Sequence, residues 1–266
     1  MNEFTVLPIA DTHTGHVTGL IPPEYDPKPA KSRASELELY HFRRGLWKFF
    51  TAGVDKLRPI EVAIGMGDVV DGPDRGASDY PGQTLIHDRG IQAEAAAAIF
   101  NWVGANKVIA IHGTPRHTGK EESWEEQAYR LVRNVKHVGV REVCDIAGLR
   151  IQIKHNLSRS STPYGQPSIL TKSAVMQELA ALHEREVKAP LMLRAHVHML
   201  VGVVSAYWQI WSLPSLQGAT RYADGNGDGP TADMGMFWIK VRNAQSWRVG
   251  WELYQPYDPE SAVIVL

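Results

Sequence analysis

Residues 65–72 read Gly-Met-Gly-Asp-Val-Val-Asp-Gly and follow an apolar run at 60–65 that is typical of a buried β-strand. The glycines allow the backbone to turn sharply after the strand, so that Asp68 points out of the edge of the sheet. This pattern favours a loop that carries a functional carboxylate. A glycine-rich turn with Asp68 as a helix cap is the alternative interpretation.

The same arrangement occurs twice more along the chain. An apolar run at 4–10 ends at Asp11, and another at 107–111 ends at His112 and Gly113. Alternating strands and helices imply crossover connections and a parallel sheet, whose ligand sites lie at the carboxyl ends of the strands. The helices are predicted from the spacing of apolar residues at 35–57, 85–103, 123–132 and 168–187.

The C-terminal third of the chain is richer in strands. Residues 141–154 predict two strands that turn at Gly148, and residues 191–194 predict a further buried strand. The segments 201–213 and 236–254 contain many β-branched and aromatic residues and no proline. We therefore expect hairpins that complete a second sheet.

Composition places the chain among globular proteins. It has 266 residues, 44 % of them hydrophobic, and a formal net charge of -1, which excludes a polycationic nucleic-acid binder and a disordered chain. No linker-like segment divides the sequence, so we expect a single domain over residues 1–266. A secretion leader and a membrane-spanning run are absent from the sequence, and Cys144 is the one cysteine; these features favour a cytoplasmic protein without membrane contact.

Metal-binding side chains follow several predicted strands. Asp11 and His13 end the first strand, and His196 and His198 follow the strand at 191–194. Each pair is two residues apart, a spacing that puts both side chains on the same side of a strand. His155 follows the strand at 151–154. Each signal alone fits an ordinary loop or strand end, and only the combination indicates a metal site.

In their order and spacing, these residues match the motifs D-x-H, G-D-x-x-D, a lone His and G-H-x-H, and the chain resembles the calcineurin-like metallophosphoesterases over about residues 4–200. The resemblance implies an α/β fold, a four-layer α/β/β/α sandwich with its metal site at the C-terminal edge of the strands. It also implies the ligands of two ions: Asp11, His13 and His198 for one, His155 and His196 for the other, and Asp68 as a bridge.

The sequence departs from the family pattern after the third strand. Where the family has G-N-H-[ED], this chain has Gly113, Thr114, Pro115, Arg116 and His117, so the asparagine that binds the second ion is missing. We expect Thr114 to replace it, directly or through water, and His117 to assist the leaving group or steady the phosphate.

Two further departures concern neighbouring positions. His112, which precedes the glycine, is the alternative to His117. Ala195 stands where the family has a glycine before its paired histidines, a small change that leaves both histidines usable.

A pair of ions would determine the chemistry. Two cations about 3.5 to 4 Å apart can share an activated water and clamp the oxygens of an in-line displacement at phosphorus. A metal-bridging hydroxide is then the expected nucleophile, and no covalent intermediate is required. Mixed imidazole and carboxylate ligands suit Mn, Fe, Zn, Co or Ni and do not choose among them. Asp71 is expected to orient a ligand.

Arginines close in sequence to these motifs could bind phosphate oxygens in bidentate fashion. They are Arg75, Arg116, Arg159 and Arg194. We favour Arg116 for this role, because it neighbours His117 in the loop that should overhang the metals.

Three functions remain open from the sequence. The first is a phosphodiesterase, with nucleic acid as one class of substrate, because several members of the family are nucleases. The second is a phosphomonoesterase, which would be expected to carry a strong pair of phosphate-binding arginines. The third is a scaffold that keeps the fold without turnover, although a scaffold would not need a nearly complete ligand set.

Overall fold

Two β-sheets and the helices on their outer faces make up the part of the chain that the structure describes. In this computed structural model, that part comprises residues 3–29, 34–73, 83–119, 123–160, 162–218 and 232–256. Arg75 and most of the loop 72–83 lie outside the described residues. None of the described helices has the length and apolar character needed to cross a membrane.

Within the described residues, eleven strands form the two sheets, six in the first sheet and five in the second. In chain order they are β1 (Phe4–Ile9), β2 (Val62–Gly65), β3 (Lys107–Ile111), β4 (Val135–Gly139), β5 (Arg141–Ile146), β6 (Leu149–Lys154), β7 (Leu191–Arg194), β8 (Val201–Val204), β9 (Gln209–Ser212), β10 (Gly235–Asn243) and β11 (Ser246–Leu253).

Both sheets mix parallel and antiparallel pairs. The first has the order β11-β10-β1-β2-β3-β4, with β1 to β4 parallel and β10 antiparallel to β1. The second has the order β5-β6-β7-β9-β8, with a parallel core of β6, β7 and β9. The predicted site residues follow the carboxyl ends of these parallel strands.

Helices cover the outer face of each sheet. They are α1 (Ala34–Leu57), α2 (Arg89–Val103) and α4 (Trp124–Leu131) on the first sheet and α5 (Gln166–Leu182) on the second. The short helix α3 (Pro115–Thr118) lies in the loop after β3.

Among the described residues, three of the four clusters of buried apolar side chains define the four layers. Phe50 of α1 and Phe100 of α2 pack in the cluster between the helices and the first sheet. Ile64 of β2 and Leu193 of β7 belong to the cluster between the two sheets, and Leu170 of α5 belongs to the cluster on the outer face of the second sheet. The layers therefore follow the order α/β/β/α, which confirms the predicted fold class.

The helix boundaries differ from the prediction by a few residues, for identifiable reasons. The second helix begins at Arg89 because Asp88 is its N-cap, and the Asp88 carboxylate accepts a hydrogen bond from the Ile91 N–H at 3.0 Å. The fifth helix ends at Leu182 instead of residue 187, because the chain enters the left-handed region at Glu184 with φ of 56°.

The C-terminal hairpin joins a different sheet from the one expected. We predicted that the segments 201–213 and 236–254 would both complete the second sheet. Strands β8 and β9 do so, but β10 pairs with β1 of the first sheet, with Thr5 opposite Lys240. A pattern of alternating apolar residues predicts a hairpin but does not select its sheet, since both sheets face the same inner core.

Backbone hydrogen bonds tie together the loops that leave the strands. The Asp11 N–H donates to the Gly67 carbonyl at 3.2 Å, and the His13 N–H donates to the Asp68 carbonyl at 3.0 Å. The Ala195 N–H donates to the His155 carbonyl at 3.1 Å. The loops after β1 and β2, and those after β6 and β7, are thus held in pairs at one edge of the molecule.

Candidate metal centre

Asp11, His13 and His198 form the first group of side chains that could hold a metal ion. One ligand atom of each lies within 4.8 Å of the other two. The Nε2 atom of His198 lies 3.3 Å from Asp11 Oδ1 and 3.3 Å from His13 Nε2. One carboxylate and two imidazoles therefore surround a space that a single cation can fill.

Asp68, His155 and His196 form the second group. His155 Nε2 lies 3.0 Å and His196 Nδ1 lies 3.7 Å from the same Asp68 oxygen, Oδ2. On the other side of the ring, His155 Nδ1 lies 2.7 Å from the Met66 carbonyl. An N–H at Nδ1 donating to this carbonyl leaves Nε2 directed at the group, as in metal-binding histidines.

The carboxylate of Asp68 connects the two groups. One of its oxygens also lies within 4.8 Å of a ring nitrogen of His13 and of His117. A carboxylate in this position can contact two neighbouring cations, one in each group.

The backbone at these residues is strained. Left-handed conformations cost roughly 1–2 kcal/mol for residues other than glycine, and strained residues cluster at functional sites. Five of the eight described non-glycine residues with positive φ belong to the two groups: Asp11 (49°), His13 (39°), Asp68 (50°), His196 (77°) and His198 (54°).

These left-handed residues show that one prediction from the sequence was wrong in its reason. We expected the pairs of site residues to converge because side chains alternate along a strand. The strands end at Ile9 and Arg194, before either pair, and left-handed turns bring the side chains together instead. As a result His196 and His198 lie in different groups.

The side chains of both groups fit a bound cation. Asp11 Oδ1 and His13 Nδ1 are buried and have no hydrogen-bond partner, and a buried unpaired polar atom costs about 1–3 kcal/mol. Within the described residues, the ion pairs of Asp11 and Asp68 involve histidines only, so neither carboxylate is neutralised by lysine or arginine. A divalent cation would satisfy both requirements.

The charge state of the second group depends on a buried pair. Burial raises the pKa of Asp68, but the charges of His155 and His117 and hydrogen bonds from His155 and His196 outweigh it and hold this pKa well below its usual value. Burial lowers the pKa of His155, but the charge and hydrogen bond of Asp68 raise it to about 10. Without metal, the pair is therefore a carboxylate and an imidazolium, whose proton lies where a cation would bind.

His13 of the first group and its neighbour His16 are neutral at physiological pH. Burial, and then the charge of His117, lower the pKa of His13 well below 6.5. Burial, and then the charges of His117 and His198, lower the pKa of His16 to about 3. The Thr18 N–H donates to His16 Nδ1 at 3.1 Å, which uses the lone pair of that nitrogen. Neutral imidazole is also the form that binds metals.

The structure places Thr114 beside Asp68. The Thr114 N–H donates to Asp68 Oδ1 at 2.7 Å, and its hydroxyl lies 3.1 and 3.2 Å from the two carboxylate oxygens. Thr114 is thus at the expected place in the centre, where its hydroxyl donates to the carboxylate. Direct ligation of a metal by Thr114 stays a prediction.

His117 and His112 have different surroundings. The His117 ring lies 4.5 Å from the His13 ring, edge to face, and its Nδ1 lies 2.6 Å from the Asp71 carbonyl. His112 Nδ1 instead lies 3.3 Å from the Ser123 hydroxyl, at the start of α4. Of the two alternatives, His117 is therefore the residue that contacts the centre.

The arginines differ in their placement. Arg116 is exposed in α3, and Arg159 is exposed in the loop after β6. Arg194 is 2 % exposed, and its guanidinium donates to Gln152 Oε1 at 2.7 Å and to the Ser173 hydroxyl of α5 at 3.1 Å. Arg194 therefore stabilises the packing of α5 on the second sheet.

Two buried polar residues beside the centre were not predicted from the sequence. Glu125 of α4 accepts hydrogen bonds from the N–H groups of Val69 and Gly113. Gln92 of α2 accepts from the Gly72 N–H and donates to the Gly72 carbonyl, both at 2.9 Å. Both side chains act on loops distant in sequence, so no local motif reveals them.

No protein-family model matches the sequence, and no curated protein is similar to it. Similar folds occur among solved structures. The zinc complex of Vps29 from Entamoeba histolytica has a TM-score of 0.45 and 12 % identity, covering 94 % of this chain and 99 % of that one. A novel archaeal phosphodiesterase has a TM-score of 0.48 and 12 % identity, covering 94 % and 100 %.

A predicted phosphoesterase from Streptococcus pneumoniae is similar to the same extent. Its TM-score is 0.41 and its identity 12 %, and the match covers 96 % of this chain and 95 % of that one. At these values the likeness is one of general fold and assigns no role to any side chain.

Proposed function

We propose that this protein is a phosphoesterase that holds two divalent metal ions and hydrolyses phosphodiesters. One observation carries the proposal. Two groups of three ligands lie side by side, and Asp68, a member of the second group, also lies within 4.8 Å of His13 of the first. A shared carboxylate would hold two cations close together, as two-metal hydrolysis of phosphate esters requires.

The proposed ligands follow from these groups. Asp11, His13 and His198 hold the first ion, His155 and His196 hold the second, and Asp68 contacts both. Thr114 supports the bridge through its hydrogen bonds to Asp68, and it is also the nearest substitute for the missing asparagine ligand.

We also propose that residues 1–266 form one domain. The pairing of β10 with β1 supports this, because it joins the two ends of the described chain in one sheet.

When bound, the two ions would supply Lewis acidity at phosphorus and an activated water. A protein side chain would then protonate the leaving oxygen. His117 is proposed for this role, because its Nδ1–H donates to the Asp71 carbonyl at 2.6 Å, which fixes the ring and leaves Nε2 as the proton-transferring atom. The neighbouring Arg116, exposed in α3, is proposed to contact phosphate oxygens.

A phosphodiester is preferred to a phosphomonoester as substrate. A monoester carries an additional negative charge, and a site for it is expected to include strongly binding arginines. Arg194, one of the arginines close to the metal motifs, is instead bonded to Gln152 and Ser173. Nucleic acid is the class of diester to test after simple esters.

The test compares two chromogenic esters. The protein is purified without chelator, loaded with Mn²⁺, and assayed with bis-p-nitrophenyl phosphate and with p-nitrophenyl phosphate. We expect faster cleavage of the diester and at least about a 100-fold loss in Asp68→Ala, because this change removes a ligand of both ions. Fe, Zn, Co and Ni are assayed in the same way.

The matched control is Asp55→Ala. Asp55 is an exposed aspartate that pairs with Arg58 on the surface, so its replacement should leave both rates unchanged. Preference for the monoester would assign the protein to phosphatases. Bound metal without turnover of either ester would assign the fold to a binding role.

A further inference from the structure

The carboxylate of Glu125 lies between two of the loops that form the metal centre. Its side chain is fully buried, with 0 % exposure. Oε1 accepts a hydrogen bond from the Val69 N–H at 2.8 Å, and Oε2 accepts one from the Gly113 N–H at 2.7 Å. A single carboxylate thus connects the loop after β2 to the loop after β3.

Both N–H groups belong to residues next to the metal centre. Val69 directly follows Asp68, and Gly113 directly precedes Thr114, whose own N–H donates to Asp68 Oδ1 at 2.7 Å. The two loops are therefore held together at two points, by Glu125 on one side and by Asp68 on the other. The position of the Asp68 carboxylate depends on the distance between these loops.

The space between the loops is narrow. A Cβ atom at Gly113 would overlap with Oδ1 and the backbone nitrogen of Asp68, and a Cβ atom at Gly67 would lie 2.6 Å from the Gly113 Cα. A small separation of the loops would therefore change the direction of the Asp68 carboxylate relative to the ions.

The helix that carries Glu125 is itself anchored. The Ser123 hydroxyl caps α4 by accepting from the Glu126 N–H at 3.1 Å. One turn after Glu125, the buried Tyr129 ring packs 5.6 Å from the ring of Phe100 of α2. Glu125 is thus presented to the loops from a fixed position, in the first turn of α4.

Glu125 is not itself a ligand of the ions. The three groups of possible metal-binding side chains within the described residues do not include it, and its two oxygens are used by the two N–H groups. We propose that Glu125 is a positioning residue, which clamps the loops after β2 and β3 so that Asp68 can bridge two ions. This inference rests on the proposed two-metal function.

The test measures metal binding by Glu125→Gln. Glutamine has nearly the same shape, but its NH₂ group would face one of the two N–H donors, so one bond of the clamp is lost. Removal of a hydrogen-bond partner behind a metal ligand typically costs about 10–100-fold in metal affinity or activity. We expect a loss of this size in Mn²⁺ affinity by calorimetry, and loss of the exchange-coupled two-manganese signal by electron paramagnetic resonance.

The control is Glu126→Gln, the next residue on the same helix. The Glu126 carboxylate pairs with Arg130 on the surface at 2.7 Å, so this variant should bind two ions with wild-type affinity. Circular dichroism of both metal-free variants should match the wild type. A merely structural role would lower the melting temperature without changing the coupled signal of the folded, metal-loaded protein.

A second measurement uses the wild-type protein, in case Glu125→Gln does not fold. The amide protons of Val69 and Gly113 should both resonate far downfield, as expected for N–H groups bonded to one carboxylate, and ordinary shifts would overturn the clamp. Wild-type metal affinity and a coupled signal in Glu125→Gln would overturn this inference alone. Absence of metal binding by the wild type would overturn the proposed function, and this inference with it.

Discussion

His117 is the residue for which the contacts give the sharpest kinetic prediction. If its Nε2 protonates the leaving oxygen, His117→Gln should matter most for substrates with a poor leaving group. We expect a loss of about 10²–10⁴-fold with diphenyl phosphate, the usual contribution of a general acid. The loss should be much smaller with bis-p-nitrophenyl phosphate, because p-nitrophenolate leaves without a proton.

Metal content separates this role from its alternative. A ring nitrogen of His117 also lies near His13 and Asp68, so the residue could act as a ligand. In that case His117→Gln would lose bound metal, and both substrates would be affected equally. The His137→Gln variant serves as the matched control, since that ring is exposed and pairs with Glu142 on the surface.

His16 gives a prediction for the pH dependence of stability. Its pKa is lowered to about 3 in the folded protein, mainly by burial, whereas in the unfolded chain it is near the ordinary 6.5. The unfolded state therefore binds the proton first, and stability is lost as the pH falls from 6.5 towards 3. Between pH 6.5 and 4.5 the loss from this residue should be about 2–3 kcal/mol.

The variant that tests this is His16→Asn, whose side-chain oxygen can replace Nδ1 as the acceptor for the Thr18 N–H. Urea unfolding of the chelated protein at several pH values measures the free energy of unfolding. The curve of the variant should be flatter than that of the wild type in this window. Parallel curves would show that His16 titrates normally.

Some residues of the candidate site could be predicted from the sequence and others could not. The convergence of Asp11, Asp68 and His155 at one edge of the sheets was predictable, because each follows a recognisable strand and matches a motif. Glu125 was not, because its role consists of hydrogen bonds to Val69 and Gly113, which are 56 and 12 residues away. A glutamate in a surface-type helix pattern gives no signal of such a role.

At the level of elements, the close approach of the loops after β2 and β3 is open to direct test. Gly113→Ala would place a Cβ against the backbone and carboxylate of Asp68, so one of the loops must shift. We expect a stability loss of about 1–3 kcal/mol, typical of overpacking, together with weaker Mn²⁺ binding. Thermal unfolding and calorimetry measure the two effects.

A second glycine provides the control for this substitution. Gly90 lies in the first turn of α2, where a new Cβ would meet, among the described residues, only the Asp88 carboxylate, at 3.1 Å. Gly90→Ala should therefore leave metal binding unchanged. Equal metal affinity in both variants would mean that the loops tolerate separation.

The pairing of strands was the part of the fold that the sequence predicted least completely. The alternation of strands and helices predicted the parallel strands β1 to β3 and their loops. It could not assign the hairpin of β10 and β11 to the first sheet, because pairing with β1 depends on which edge is open in the folded molecule. Strand β4 was missed because its residues are only partly buried at the end of the sheet.

For the whole molecule, metal binding should stabilise the fold measurably. The proposed ligands come from loops of both sheets, so binding holds the two halves of the sandwich together. An ion at 100 times its Kd adds about 2.7 kcal/mol to the free energy of unfolding. For a chain of this size that corresponds to roughly 5–10 °C in Tm for each ion.

The measurement is differential scanning calorimetry with EDTA and with Mn²⁺. The difference in Tm between the two conditions should be much smaller in Asp68→Ala, whereas the surface variant Asp55→Ala should respond like the wild type. An equal Tm of the wild type with and without metal would argue against binding at this edge of the sheets.

The left-handed turns at five of the site residues imply a trade-off between activity and stability. If these turns serve only to orient the metal ligands, a protein that no longer binds ions would become more stable when the left-handed residues are replaced. His196, with φ of 77° and an exposed side chain, is the clearest position. His196→Gly should make the metal-free protein more stable by about 0.5–1 kcal/mol in urea unfolding while abolishing turnover. The left-handed turns therefore favour ion binding at the expense of the stability of the metal-free protein.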